Sequence, residues 1–416
     1  MADDTPCPLA WRGTGQVGTA DRLKILHVIP SMSNRDGGPS RAIRDIERAL
    51  ADRGIAVTTV TTNHDAGGRT MPVPCGRPVM TSSATRWYFP RTTVFFKTSA
   101  GMAKWLGDNI AAFDVVHAHG LFSFAPVTAA YLARRAGVPY VLRPLGVLAR
   151  YGMTRRRPVL KKLSLALIER RLIESASAVH FTSAVERVEA EALGLNCRGV
   201  VIPLGIDPGR PVKRSDDAWP NVPGPVRLLF ISRIDPKKNL EGLLRAIALV
   251  VPNHPEVTLT IAGDGDGDYL AMLQTLAADL AIADHVVWLR HVEGERKAAA
   301  FAAASALVLP SHSENFAIAV LEALAAGLPC IVSREVATAR EIEARRAGLV
   351  VGIDAASIAA GIERLLHDKD RYSAMCAAAR SLALNAFSLT TMGERLEALY
   401  RRIRAVPGGD RAALAG

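Results

Sequence analysis

Residues 306–332, ALVLPSHSENFAIAVLEALAAGLPCIV, restrict the fold more than any other part of the chain. An apolar run, Ala306 to Leu309, is stopped by Pro310 and reads as a buried strand. A polar turn follows, from Ser311 to Asn315. Phe316 to Ala326 is strongly helix-forming and ends at Gly327; Cys330 to Ser333 is a second buried strand. Strand, loop, helix and strand make one unit of a parallel sheet, so the class is α/β. Ligands of open α/β sheets bind beyond the carboxyl ends of the strands. Glu314 lies just past such an end, next to a helix N-terminus that favours anions. Glu322 sits eight positions on, among Ala319, Val320, Leu321, Ala323 and Leu324. A carboxylate on so apolar a helix needs a partner, and a ligand hydroxyl or a structural arginine serves equally well.

The same alternation runs through the rest of the chain. Lys24 to Ile29 is the first buried strand. A loop ending Asp36-Gly37-Gly38 follows, and Pro39 suits the first turn of a helix that runs to about Arg53 and closes at Gly54. With the strand Ala56 to Thr61 this is a Rossmann-like opening unit, although the loop is not G-x-G-x-x-G and an ordinary turn explains it as well. Residues 63–91 read as an irregular insertion of the kind that often binds ligands. Asp114 to Ala118 is a strand ending His117-Ala118-His119-Gly120. Two histidines at i, i+2 share a strand face, but no third metal ligand is in view nearby. His119, at the strand end, is the better candidate for a hydrogen bond to a ligand. Further strands are read at Val138 to Arg143, Ala178 to Phe181 and Val200 to Ile202, the last followed by Pro203-Leu204-Gly205-Ile206-Asp207.

The texture changes at residues 208–225, which hold five prolines (208, 211, 220, 223, 225) and mark a domain linker. A second alternation begins with Arg227 to Ile231. Arg233 and Lys238 lie just past that strand, where the helix Leu240 to Val250 starts. Two cations at a helix N-terminus suit a diphosphate; a solvated basic turn is the alternative. The run Gly263-Asp264-Gly265-Asp266-Gly267-Asp268 raises Mg²⁺, but a turn capping the helix from Tyr269 fits Asp and Gly better. Residues 1–20 read as a disordered tail, 21–207 and 226–388 as two Rossmann-like domains with a cleft between them, and 406–416 as a second tail. A helix at 389–405 is expected to cross back to the first domain.

Composition bears on partners. Five scattered cysteines argue for a reduced, cytoplasmic protein without a disulfide framework. No apolar run approaches the roughly 18 residues of a membrane-spanning helix. The net charge is 51 − 40 = +11, and nine Lys/Arg against Glu169 alone fall between Arg143 and Arg171. Sparse aromatics there disfavour single-stranded nucleic acid. Basic residues interleaved with Leu and Ile suit an anionic membrane surface. The helical wheel is mixed, however: Leu160, Leu163 and Leu167 share a face that Leu165, Ile168 and Leu172 do not, and a core helix with a basic rim is the alternative.

In their order along the chain, the Gly37-Gly38 loop, His119, Pro203 to Asp207, Arg233 with Lys238, and Glu314 with Glu322 inside Ser-Glu-Asn-Phe resemble family 4 glycosyltransferases (glycosyl transferase group 1). The resemblance covers roughly residues 23–404 and implies the GT-B fold. It also implies a retaining, metal-independent hexosyltransferase with no cofactor beyond a UDP- or GDP-linked sugar. By resemblance, Glu322 holds the nucleotide ribose, while Arg233 and Lys238 bind the diphosphate. Glu314 and His119 contact the donor sugar, helped by backbone N–H groups of Asn315 and Phe316. Gly37 and Gly38 lie near the diphosphate and the acceptor. Base recognition is expected from backbone around Arg290 to Val292.

The implied acceptor is a glycan or lipid-linked glycan of bacterial exopolysaccharide or surface polysaccharide assembly, met by the first domain. The expected location is cytoplasmic, with peripheral association at the inner membrane face through residues 143–171 on an anionic bilayer. Two departures bear on the donor sugar. Ala317 stands where many members have glycine, and Arg334 to Thr338 replace a glycine-rich loop carrying an acid. Three other readings compete: a non-catalytic nucleotide-sugar-binding subunit, a sugar-nucleotide enzyme of the same architecture such as an epimerase or a phosphorylase, and a nucleic-acid-binding protein. The first is expected to lose Arg233, Lys238 or Glu322, and a phosphorylase needs a pyridoxal lysine that no segment argues for. The third rests on charge alone.

Overall fold

The computed structural model describes residues 22–33, 38–65, 68–93, 96–154, 158–207 and 226–405. Gly37, both tails, the 208–225 linker and Arg155, Arg156 and Arg157 lie outside the described residues.

The first sheet holds β1 (Lys24–Ser31), β2 (Ala56–Thr62), β3 (Pro78–Met80), β4 (Thr85–Phe89), β5 (Val115–His119), β6 (Tyr140–Arg143), β7 (Ala178–Phe181) and β8 (Gly199–Val201). Their order is β3-β4-β2-β1-β5-β6-β7-β8, parallel except for β3 at the edge. The second sheet holds β9 (Val226–Ile231), β10 (Val257–Ala262), β11 (Val286–Leu289), β12 (Ala306–Leu309), β13 (Cys330–Ser333) and β14 (Gly348–Val351). Its order is β11-β10-β9-β12-β13-β14, and every pairing is parallel. Helices cover both faces, so central strands are buried on both sides and read as unbroken apolar runs.

Each sheet reverses its winding once, between β1 and β5 and between β9 and β12. Such switch points leave a crevice at the strand ends. Gly38 opens the helix after β1, His119 is the last residue of β5, and Arg233 with Lys238 and Glu314 follow β9 and β12. Topology alone therefore gathers the residues singled out by the sequence.

Residues 63–91 are more ordered than an irregular insertion. They add β3 and β4 to the sheet edge, because Thr85-Arg86-Trp87-Tyr88-Phe89 is β-branched and aromatic. The helix after the 264–268 run starts at Gly267 rather than Tyr269, because Asp266 caps it by accepting from the N–H groups of Asp268 and Tyr269. Gly263 and Gly265 are required there: a Cβ would lie 1.9 Å from the Ser232 carbonyl oxygen and 2.1 Å from that of Ile234. The loop packs on the Arg233 turn, where the Ile234 N–H donates to the Asp264 carbonyl at 2.9 Å.

The helix Leu389–Ala405 packs on the first domain, burying Leu396, Leu399, Tyr400 and Ile403 against Ile43, Ile46 and Val141. Chain entry to it is locked by two backbone bonds between Ile206 and the 387–389 segment, of 2.8 and 3.1 Å. Gly205 is needed for this approach, since a Cβ would sit 2.4 Å from the Ser388 carbonyl oxygen. No described helix is long and apolar enough to cross a membrane.

Candidate active site

Lys238 and Glu314 form the centre of the cleft. The Lys238 ammonium bonds a Glu314 carboxylate oxygen, and the two side chains are only 12% and 14% exposed. Asp235 begins the turn that delivers Lys238, accepting the N–H of Lys237, with Pro236 at the first position. Asn239 closes the turn at φ 58° and ties it down by donating to the carbonyls of Pro310 (3.1 Å) and Ile353 (2.7 Å). On the other side, the Glu314 N–H donates to Glu335 O at 3.0 Å and Glu314 O accepts from Ala337 N–H at 2.9 Å. Both charged groups are thus held by backbone that cannot easily move.

Arg233 stands apart, 69% exposed, 3.5 Å from Asp235 at the mouth of the cleft. The helices Leu240–Val250 and Ile318–Ala325 begin nearby, and neither has a side-chain cap. Their positive ends and the two cations give the cleft an anion-binding character.

Glu322 has the structural partners that its apolar helix demanded. It accepts from Arg41 of the first domain at 2.7 Å and from Lys297 of the second at 2.8 Å. Arg41 thereby bridges the cleft. A ribose at Glu322 would share the carboxylate with these cations or displace one.

The wall opposite Glu314 comes from the first domain. Asn315 donates to Thr182 Oγ1 at 3.1 Å and packs on Gly146, where a Cβ would meet the Asn315 Cβ at 2.8 Å. Gly146 also needs its freedom at φ +74°. Glu186, buried, accepts from the N–H groups of Gly146 (2.7 Å) and Thr182 (2.8 Å) and so fixes both loops. Phe316 packs edge-on to Phe387, and Gly38 lies 3.6 Å (as a Cβ) from the Ile318 side chain. A small open pocket beside Glu314 is lined by Gly146, Ser183, Glu186, Lys237 and Arg334, among others.

His119 is fully buried. Its Nε2 bonds His27 Nδ1 at 2.8 Å, and its Nδ1 has no partner among the described residues. His117 reaches Tyr400 at 2.7 Å and His180 at 3.4 Å. Burial, and then Arg143, push His27 and His180 down to about 3; burial, and then the other histidines of the cluster with Arg143, hold His117 and His119 well below 6.5, so all four are neutral.

The third histidine missing from the sequence reading is thus His27, aligned with His117 across the β1–β5 pair. His27, His117 and His119 bring ligand atoms within 4.8 Å of one another. The guanidinium of Arg143, buried in the same layer and lowered to about 10 by that burial, opposes a cation there. Sequence reasoning missed His27, Arg41, Lys297 and Thr182. Only the His27–His117 pairing had a signal, a polar residue inside an apolar strand.

Two parallel-sheet domains facing each other across a cleft define the GT-B architecture. The description "Glycosyl transferase 4-like domain" matches residues 37–205, and "Glycosyl transferases group 1" matches residues 213–382. The chain belongs to the group 1 glycosyl transferases of family 4 type.

Among curated relatives, a GDP-mannose-dependent alpha-(1-6)-phosphatidylinositol monomannoside mannosyltransferase of Mycolicibacterium smegmatis is 31% identical over 245 residues, covering 55% of this chain and 63% of the relative. A D-inositol 3-phosphate glycosyltransferase of Pseudarthrobacter chlorophenolicus is 35% identical over 184 residues, 44% of each chain. The match therefore spans about half the length of these relatives. Among solved structures, sucrose-phosphate synthase of Thermosynechococcus elongatus has a TM-score of 0.73 at 20% identity, covering 92% of this chain and 100% of that one. HepE of Anabaena in complex with UDP and glucose has 0.71 at 17%, with the same coverage. At these identities the likeness establishes the fold.

Proposed function

We propose that this chain transfers a hexose, with retention at the anomeric carbon and without a metal ion, from a UDP- or GDP-linked sugar. The acceptor is a glycan or lipid-linked glycan of bacterial exopolysaccharide or surface polysaccharide assembly, met in the cytoplasm. The observation that carries the reading is the Lys238–Glu314 pair at the switch point of the donor-side sheet, with Arg233 at the cleft mouth. Breaking the sugar–phosphate bond leaves negative charge on the departing diphosphate. Lys238 exchanges its carboxylate partner for the diphosphate, Arg233 swings in from solvent, and the two uncapped helix ends add their dipoles. Glu314, released from Lys238, is then free to accept hydroxyls of the donor sugar. His119, neutral and with Nδ1 unpartnered among the described residues, is fully buried, and it reaches the donor sugar only if the residues that cover it move aside. The GDP-mannose dependence of one relative and the UDP bound by one structural neighbour support a nucleotide sugar but favour neither base.

The test is a thermal-shift panel of UDP, GDP, ADP and their common hexose derivatives, with and without EDTA. Wild type is compared with Arg233→Ala and Glu322→Ala. Stabilisation by one nucleotide series, unaffected by EDTA and lost in both variants, is the expected result. Shifts that persist in both variants, or that EDTA abolishes, overturn the assigned site or its metal independence.

A further inference from the structure

The helical segment from Pro158 to Ser175 is continuous, but its bonding widens to i→i+5 between Leu165 and Glu169. That extra residue in the turn resolves the mixed wheel of the sequence. Leu165, Leu172 and Ile173 point into the first domain and are buried. Val159, Leu160, Leu163 and Leu167 point the other way and are 75%, 51%, 54% and 66% exposed, and Ile168, expected on the inner side with Leu165 and Leu172, joins them at 44%. Five large aliphatic side chains within about three turns of one helical segment form an exposed apolar patch, not scattered surface residues.

The charges beside the patch have one sign. Lys162 and Arg171 are exposed, whereas Glu169, the only acid between 158 and 171, is fully buried and turned inward to accept the Phe122 N–H at 2.8 Å. An apolar patch bordered by cations and stripped of anions matches a surface with an apolar interior and negative headgroups. A second copy of this chain offers no such complement, since it carries the same cations and a net charge of +11.

We propose that the outer face of residues 158–171 docks on an anionic bilayer, with the leucines at the level of the acyl chains and the cations among the headgroups. The same helix carries Glu169 to the loop that follows His119, so docking sets the first-domain wall of the cleft at the membrane surface. The inference adds the place where a lipid-linked acceptor would be met. Vesicle binding is read without any sugar transfer, so this inference and the proposed activity can each fail alone.

The experiment is flotation of the full chain with vesicles of about 30 mol% phosphatidylglycerol in phosphatidylcholine, against pure phosphatidylcholine, at about 0.1 and about 0.5 M NaCl. Two variants run beside wild type: L160S/L163S/L167S and K162A/R171A. Wild type should float with the anionic vesicles and less at high salt. The triple serine variant should partition at least about tenfold more weakly, and the double alanine variant about tenfold more weakly at low salt only. Because these side chains are exposed, unchanged thermal unfolding serves as the folding control. If wild type fails to float, or if both variants float as it does, the proposal is overturned. It is equally overturned if the triple variant instead abolishes a concentration-dependent dimer of wild type.

Discussion

Replacing Lys238 by methionine keeps the volume and removes the charge, and the structure gives two separate consequences. In the unliganded protein it leaves Glu314, 14% exposed, without its cation. Deleting one partner of a fully buried pair costs about 3–5 kcal/mol; the slight exposure here lowers the expectation to about 2–3 kcal/mol. At about 2–4 °C per kcal/mol for a domain of this size, the melting temperature should fall by roughly 4–12 °C. The second consequence follows from the proposed function: if Lys238 neutralises the departing diphosphate, its loss should lower kcat by about 10²–10³.

A cycle with Glu314→Gln separates the two. In the K238M/E314Q protein no charge is left unpaired, so stability should return to within about 1 kcal/mol of wild type. Turnover should not return, because the cation is still missing. Urea unfolding and kcat for donor consumption, measured on all four proteins, give both readouts. The reasoning is refuted if K238M is as stable as wild type, or if the double variant recovers turnover along with stability. The latter would make the pair a brace and nothing more.

Acidification should expose the buried histidines. With native values near 3 against an ordinary 6.5, His27 and His180 bind protons only in the unfolded chain between those limits, so stability from them is lost as pH falls below about 6.5. At pH 5 that is about 2 kcal/mol each. Burial raises Glu169 to about 7 and Asp45 to about 6, and their protonation in the folded state stabilises it over the same interval. The wild-type profile therefore mixes opposing signs. Urea unfolding of H27Q/H180Q should show about 4 kcal/mol less acid loss between pH 7.5 and 5 than wild type, and equal slopes would disprove the account. Gly146→Ala forces an L-residue to φ +74° and drives a methyl onto Asn315 across the cleft. It should raise KM for the donor about tenfold while costing only about 1–2 kcal/mol in unfolding. Arg86→Ala strands Glu47, which is fully buried and, among the described residues, is otherwise bonded by Thr59 at 2.6 Å. It should cost about 3–5 kcal/mol, largely restored by Glu47→Gln, with nucleotide-induced thermal shifts unaltered.

The parallel strands and the loops behind them were legible in the residue order. A strand buried on both faces must be apolar throughout, and its end is marked by the first polar or glycine residue. That local rule located Arg233, Lys238 and Glu314 without knowledge of the sheet order. Side-chain partners were not legible, because they depend on which strands become neighbours. Glu322 demanded a partner, but nothing local names Arg41, which arrives from the other domain. The absence of a third histidine beside His117 and His119 was a statement about sequence neighbours, and β1 lies beside β5 only after folding. The helices Ala100–Asn109 and Phe124–Arg135 were passed over, as was β14, whose four residues Gly348–Val351 give too short a pattern to read.

The two departures from the family pattern fall on one side of the cleft, which bears on where donor choice is made. Ala317 takes φ −82°, ordinary for an L-residue, and its methyl is buried beneath the helix start. The substitution for glycine therefore brings no backbone strain. The loop Arg334 to Thr338 still supports Glu314 through its backbone, since residues 335 and 337 bracket that glutamate with two hydrogen bonds, whatever side chains they carry. Its side chains are thus free to differ. Arg334 and Glu335 turn outward and line the same pocket as Glu314 and Lys237. Charge neutralisation needs fixed cations and helix ends, which backbone geometry holds; discrimination between sugars needs only that the groups bordering Glu314 change. On the proposed function this chain keeps the first and alters the second, so exchanging residues 334–338 should change which nucleotide sugar is turned over more than it changes nucleotide affinity.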